Sequence, residues 1–229
     1  MIDNIPNWIN VLFITATIIT IIIFYYSNSK PKKTISLILT WSILQSLLAY
    51  FGFYQNTQTI FPRFSLVLLP TILFMIYGLL PKQRNLFLER HKLKLSTFLH
   101  LVRIPVEIVL FFLFLNKMIP ELMTFEGRNF DIITGLTSPI IGVLYLKDKI
   151  ENTSMLVWNC IGLCLVLIIL FYGILSAELP FQQFGFNQPN KAINYFPFVL
   201  LPAVIVPIVI YTHIIDITIF IKKLKFTKL

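Results

Sequence analysis

Charge is what this sequence has least of. Only 13% of its 229 residues are charged, against 57% hydrophobic and 15% aromatic, and the mean hydropathy is +0.81. Soluble globular chains carry about 25% charged and about 45–50% apolar residues. Half the usual charge does not keep a chain of this size in water, so soluble, disordered and fibrous classes are excluded. Cysteine is equally scarce. Cys160 and Cys164 stand four apart in one apolar run, on one helix face, and offer neither a disulfide framework nor a zinc spacing. There is no Walker loop, no His-Glu-x-x-His pair and no Gly-x-Ser-x-Gly elbow. The last apolar run has no internal lysine, which excludes a retinal Schiff base, and no water-facing segment is large enough to hold a nucleotide. Internal repeats are absent by eye. The leader Met1–Asn7 carries Asp3 and no Lys or Arg, and the run after it is too long for the apolar core of a signal peptide, so it reads as a span.

What is present is apolar length. A bilayer core about 30 Å thick takes about 20 apolar residues per helix. Seven runs qualify: Trp8–Ser27, Thr34–Tyr54, Arg63–Leu80, Leu95–Ile119, Phe130–Leu146, Ser154–Ser176 and Tyr195–Ile221. They are continuous rather than alternating, which favours helices over an outer-membrane barrel. The expectation is an all-α polytopic membrane protein, residues 1–229 forming one integral domain.

The net charge of +9 then has a simple source. Nucleic-acid binding needs a basic patch on a water-facing domain, and none is visible, so no nucleic-acid partner is expected. Fourteen of the nineteen basic residues fall on one side of the alternating crossings: Lys30, Lys32 and Lys33; Lys82, Arg84, Arg90, Lys92 and Lys94; Lys147 and Lys149; Lys222, Lys223, Lys225 and Lys228. Four fall on the other, Arg63, Lys117, Arg128 and Lys191, and Arg103 lies within a span. The positive-inside rule puts the N-terminus outside and the C-terminus in the cytoplasm. Trp8, Tyr54 and Tyr195 mark outer span ends, and Tyr25, Tyr26, Tyr77, Tyr145 and Trp158 inner ones. Gln83–Leu95 alternates basic and apolar groups and reads as a surface anchor on anionic lipid headgroups.

Ionisable residues inside spans cost a few kcal/mol even on lenient scales, so the exceptions matter. Span 4 carries His100, Arg103 and Glu107 within a sector of roughly 60°, and span 7 carries His213 and Asp216, also roughly 60° apart. All five lie roughly 8–18 Å from the cytoplasmic side. Asn159 of span 6 is at similar depth and Gln45 of span 2 slightly deeper. The expectation is that spans 4 and 7 face each other around His100, Arg103, Glu107, Asn159, His213 and Asp216. One negative charge is then in excess, and a proton on a histidine or carboxylate balances it. Arg103 and Glu107 are also an i, i+4 pair within one helix. A structural ion-pair network, a solute or proton pathway and a catalytic site all fit this pattern. Two histidines without a ligand spacing are a weak metal or haem signal, so no cofactor and no metal are expected.

Span 5 has a small-residue stripe at Thr134, Ser138 and Gly142, suited to a close helix approach, and Pro139 removes a backbone bond that Thr137 or Ser138 helps to satisfy. Asp131 reads as the cap of this span at the outer interface. Pro105 bends span 4, and Pro202 and Pro207 kink the outer half of span 7. The loop Ala177–Asn194, with Phe181, Phe184 and Phe186, either rests on headgroups, the favoured reading, or folds back as a lid.

The stretch Glu126-Gly127-Arg128-Asn129-Phe130-Asp131 running into Gly135-Leu136-Thr137-Ser138-Pro139, with the Ile-, Asn-, Lys- and Phe-heavy composition, resembles an uncharacterised group of multi-pass proteins of Bacteroidetes-type bacteria. The resemblance covers spans 4 to 7 and implies no activity. The leading reading is small-solute or ion handling, in which Arg103 holds an anionic group or a carboxylate while the acids and His213 exchange a proton. The alternatives are an intramembrane enzyme acting on a lipid or isoprenoid, with a histidine–carboxylate pair as acid and base, and a non-catalytic sensor or assembly subunit. Membrane lipids are expected partners throughout.

Overall fold

A computed structural model describes residues 2, 5–57 and 62–226. Asp3 and Lys228, used above, lie outside the described residues. Among those residues the chain is all-helical, with one isolated bridge between Ala177 and Asn190. The helices are α1 (Asn7–Ser27), α2 (Lys32–Tyr50), α3 (Ser65–Leu79), α4 (Pro81–Arg90), α5 (Leu93–Leu99), α6 (Arg103–Leu115), α7 (Ile132–Leu146), α8 (Asn152–Leu175) and α9 (Val206–Phe226).

Four helical stretches are long and apolar enough to cross a membrane: Asn7–Ser27, Leu93–Leu115, Asn152–Leu175 and Leu201–Lys225. Among the described residues the pair α3 and α4, bent by 73°, makes a fifth when the two are counted as one broken span rather than a re-entrant loop. Two of the seven expected runs fall short by that measure. α2 opens on Lys32 and Lys33 and carries Gln45 among its serines and threonines. α7 has only 15 residues, about 22 Å, less than a 30 Å core.

The distribution of residues is inverted relative to a soluble bundle. Leu73 (64% exposed), Ile43 and Ile140 (both 61%) point outward, as do Ile18, Ile161 and Phe171, whereas Arg103, Glu107, His213 and Asp216 are buried. An apolar belt of this extent needs a nonaqueous partner.

Prolines break the helices where expected, in specific ways. Pro105 has no N–H and its ring crowds the carbonyl four residues back, so the run from Leu93 to Leu115 passes through a 3₁₀ turn at His100–Val102 between α5 and α6. Ahead of α9, Leu201–Ile205 forms a π turn, with Pro202 within it and Pro207 just after. The regular part of this run therefore starts at Leu201 rather than Tyr195.

α8 packs along α9, α1 lies against α5 and α6, and α7 runs antiparallel to α5–α6. The α7 stripe works as a close-approach face. A Cβ built on Gly142 would meet the Phe98 ring at 2.9 Å, and one on Gly135 would meet Ile104 Cγ1 at 3.0 Å and Arg103 Cβ at 3.2 Å. Thr137 Oγ1 donates to Ile133 O at 2.7 Å and accepts from Trp158 Nε1 at 3.0 Å. Ser138 Oγ has no partner.

The basic segments meet at one end of the bundle. Lys92 N donates to Ser27 O at 2.7 Å and Ser29 Oγ to Arg90 O at 2.7 Å. Lys223 Nζ donates to Tyr145 Oη at 3.1 Å. At the other end, Lys191 N donates to Met118 O and Gln188 Nε2 to Ile119 O, at 2.9 and 2.6 Å. Phe181 and Phe186 of the long loop are exposed, but Asn190 and Ala192–Asn194 are buried in the bundle, so half of this loop is built into the helices rather than resting outside them.

Candidate functional site

Antiparallel packing sets the register between α9 and the run through α5–α6. His213 comes level with Arg103, so residues later in α9 face residues earlier than Arg103. Arg103 Nη2 lies 2.7 Å from His213 Nε2, and His213 Nδ1 2.8 Å from Asn159 Oδ1. A guanidinium only donates, so Nε2 accepts and Nδ1 donates: His213 is the neutral Nδ1–H tautomer. Asn159 is held in turn by donating to Met155 O at 2.9 Å. Gly162 permits the arrangement, because a Cβ there would stand 2.7 Å from His213 Cε1. His100 stacks on His213 with ring centroids 3.9 Å apart and planes at 14°, and Trp158 flanks both rings, edge-on to His100 at 5.5 Å and 6.0 Å from His213. His100 is fully buried and neither ring nitrogen has a partner.

The counter-ion of Arg103 is Asp131. Its carboxylate accepts from Arg103 Nη1, which also donates to Gly162 O at 3.3 Å. This corrects the sequence reading of Asp131 as an interfacial cap. It stands at the N-cap position of α7 without a side-chain capping bond, 6% exposed. Glu107 is held by Asn129, whose Nδ2 donates to both carboxylate oxygens at 2.7 Å and to Met123 O at 3.0 Å. Asp131 N donates to Asn129 Oδ1 at 3.0 Å. Glu107 lies eight residues before the end of α6, about 12 Å below it. The segment after α6 therefore folds back into the bundle before α7 begins.

Asp216 does not join Arg103. It lies one turn further toward the basic end, where His91 Nε2 donates to Oδ1 at 2.5 Å and Ser96 Oγ stands 2.9 Å from Oδ2. His91 Nδ1 is 2.8 Å from Asn28 Oδ1. Asn28 is oriented by donating to Phe24 O at 2.9 Å, so both ring nitrogens of His91 face oxygens. This second polar set ties the α1–α2 turn, the α4–α5 turn and α9 together. Gln45 lies in neither set; it accepts from Tyr54 Oη at 2.5 Å.

Of the residues chosen from the sequence, His100, Arg103, Asn159 and His213 thus come together, Glu107 sits beside them through Asn129 and Asp131, and Asp216 is apart. Sequence reasoning gave Asp131 a capping role and assigned no site role to Asn129, His91 or Ser96. The signal for the first two was the shortness of α7, which places its polar start inside the bundle.

Above Arg103 a cavity of about 60 Å³ opens between α6, α8 and the π turn ahead of α9. Its walls are apolar, chiefly Val106, Leu110, Val166, Ile169, Ile205 and Val209, and its polar groups are Arg103, Glu107, Asp131 and Asn190. Asn190 comes from the inserted half of the long loop. Its N and Nδ2 donate to Ser176 O and Gly173 O at 2.7 and 3.0 Å, while its Oδ1 is buried and unpartnered, as is Arg103 Nε. One arginine faces two carboxylates here, with His213 neutral. An uncompensated charge in such surroundings costs several kcal/mol, so the charges balance with a proton on a carboxyl group or with a cation. Among the described residues no group of three or more His, Cys, Asp and Glu could hold a metal ion.

No curated protein and no solved structure matches the chain. A family model does, over residues 60–221, a stretch that takes in the cavity lining and both polar sets apart from Asn28. The chain belongs to the family described as a domain of unknown function, DUF8737.

Proposed function

We propose that this chain is a polytopic membrane protein that handles a small solute in the cavity above Arg103, with a proton exchanged at Glu107. The observation that carries the reading is the buried excess of one carboxylate over cations on the polar side of an otherwise apolar cavity. Helix-ordering alone needs no cavity beside the ion pair and no second acid. The chemistry assigns roles. Asp131 and His213 fix the guanidinium, Glu107 takes and gives the proton, and Asn159 sets the tautomer of His213. His100 stacks on that ring, and Asp216 with His91 fastens α4 and α9 together.

In this reading the chain crosses the bilayer seven times, with its N-terminus outside and its C-terminus in the cytoplasm of a bacterial inner membrane. The meeting of the α1–α2, α4–α5 and C-terminal basic segments at one end supports that layout.

The test is an acid pulse on vesicles loaded with a pH-sensitive dye. Wild-type protein should let the interior acidify faster than protein-free vesicles. Glu107→Gln, purified to the same yield and helical content, should fall to the protein-free rate. Wild-type protein at the protein-free rate, or a variant as fast as wild type, refutes proton exchange at Glu107.

A further inference from the structure

The polar groups of the cavity specify which class of solute fits. Arg103 has both terminal nitrogens engaged, by Asp131, Gly162 O and His213. Three of its five N–H groups are used in this way, and Asp131 already offsets its charge, so it has no spare charge with which to hold an anion. What faces the cavity without full satisfaction is mainly acceptor. Each oxygen of Glu107 receives one bond, both from a single Asn129 nitrogen, although a carboxylate has about four lone-pair sites. Asn190 Oδ1 is buried at 1% residue exposure and receives none. Arg103 Nε and the second N–H of Nη2 are unmet donors beside them and suit a hydroxyl or a water. Everything else lining the cavity is aliphatic or aromatic apart from Asp131, whose charge Arg103 already offsets.

Resting on the reading of this cavity as a solute site, we infer that its solute is an organic cation, a protonated amine on a compact apolar body, with the ammonium on Glu107 and Asn190 Oδ1 and the body against Val166, Ile169, Ile205 and Val209. Three facts converge. The charge count of the site is one negative too many without a proton. Its unmet acceptors stand on two different elements, α6 and the long loop. Its walls offer nothing to a polar body. Binding is then an exchange: the proton on Glu107 leaves for water as the ammonium arrives, and the charge within the bundle stays balanced.

The experiment uses the full chain in lipid nanodiscs, with empty nanodiscs as reference, and three probes sharing one apolar body: 1-aminoadamantane, 1-adamantanemethanol and adamantane-1-carboxylate. Calorimetric titration at neutral pH in two buffers of different ionisation enthalpy reads both affinity and proton release. The amine should bind saturably and release about one proton, with the alcohol weaker and the carboxylate not bound. Glu107→Gln should weaken the amine by roughly 30-fold or more, the loss expected for one partner of a buried charge pair. Asn190→Ala should weaken it by about tenfold, and this second variant keeps the test decisive if the first does not fold. Equal or tighter binding of the alcohol or carboxylate overturns the assignment, as does absence of saturable amine binding or an affinity unchanged by Asn190→Ala. If one of these results comes with a Glu107-dependent acid pulse, the cation is wrong and the proton-exchange reading stands; if the acid pulse also fails, both fall.

Discussion

Removing Arg103 and removing Asp131 should not cost the same, although they are two ends of one ion pair. The reason is the third charge. In Arg103→Gln, Glu107 and Asp131 remain buried at 1% and 6% exposure with no cation between them. His213 Nε2 also loses its donor. Stranding buried charge in this way costs about 3–5 kcal/mol. In Asp131→Asn, Arg103 keeps Gly162 O and His213, and Glu107 one turn along α6 leaves the site neutral overall. The loss is then that of one charge-assisted hydrogen bond, about 1.5–3 kcal/mol. The double variant should cost less than the two single costs added, because it removes the cation and one of its carboxylates together; coupling of about 0.5–3 kcal/mol is the usual range for touching groups. The assay is reversible unfolding by SDS titration from mixed micelles, followed by tryptophan fluorescence. Trp158 packs edge-on against His100 and is a local reporter. If Asp131→Asn costs as much as Arg103→Gln, or the double variant is strictly additive, then Glu107 does not share this charge balance, and the argument for proton exchange at that residue loses its basis.

Further consequences follow from the packing. Gly162→Ala puts a Cβ at 2.7 Å from His213 Cε1 and should cost about 1–3 kcal/mol by overpacking in the same titration. Gly173→Ala, whose nearest neighbour is Met123 Cε at 3.4 Å, should be tolerated. His91→Ala leaves the buried Asp216 carboxylate with Ser96 alone and should cost about 3 kcal/mol. It should also speed tryptic cutting at Arg90 and Lys92, whereas His91→Gln should restore part of the protection. Membrane-impermeant thiol reagents applied to intact cells should label a cysteine placed at Glu121 and spare one placed at Lys222; the reverse pattern refutes the orientation.

Much of the fold was readable because hydropathy reports length and continuity directly. The runs at α1, Leu93–Leu115, α8 and α9 stand out by apolar composition alone. The small-residue stripe of α7 and the proline breaks at Pro105, Pro202 and Pro207 were also where local chemistry put them. Three features were not readable by the same means. Counting depth from the start of an apolar run assumes that the run begins at the membrane surface, and α7 begins inside the bundle. Asp131 was therefore assigned to the interface when it is the counter-ion of Arg103. His91 looked like one more cation in a basic surface segment, and nothing local shows that its ring turns inward onto Asp216. Asn190 belongs to a loop whose aromatic residues suggested headgroup contact, and only tertiary packing shows that its polar half enters the helices.

The misplaced partner of Arg103 has a geometric cause that applies to any antiparallel pair of polar helices. A helical wheel gives the direction in which a residue points, and on that measure His213 and Asp216 are equally good candidates. It does not give register. Once His213 meets Arg103, each step toward the end of α9 is a step back along α6 and α5. Asp216 must then face the level of His100 and Ser96, while Glu107 must face the level of Val209. The pairing seen for Asp216 is with Ser96, and Glu107 and Val209 line the same cavity. Register thus separates the two carboxylates that the sequence had grouped. It hands Asp216 to a histidine at the basic end and leaves Glu107 beside the cavity. Asp131, brought down from the fold-back loop, keeps Arg103 occupied. That division of labour gives the site its chemical character, because an arginine paired with its own aspartate leaves the second acid with Asn129 alone.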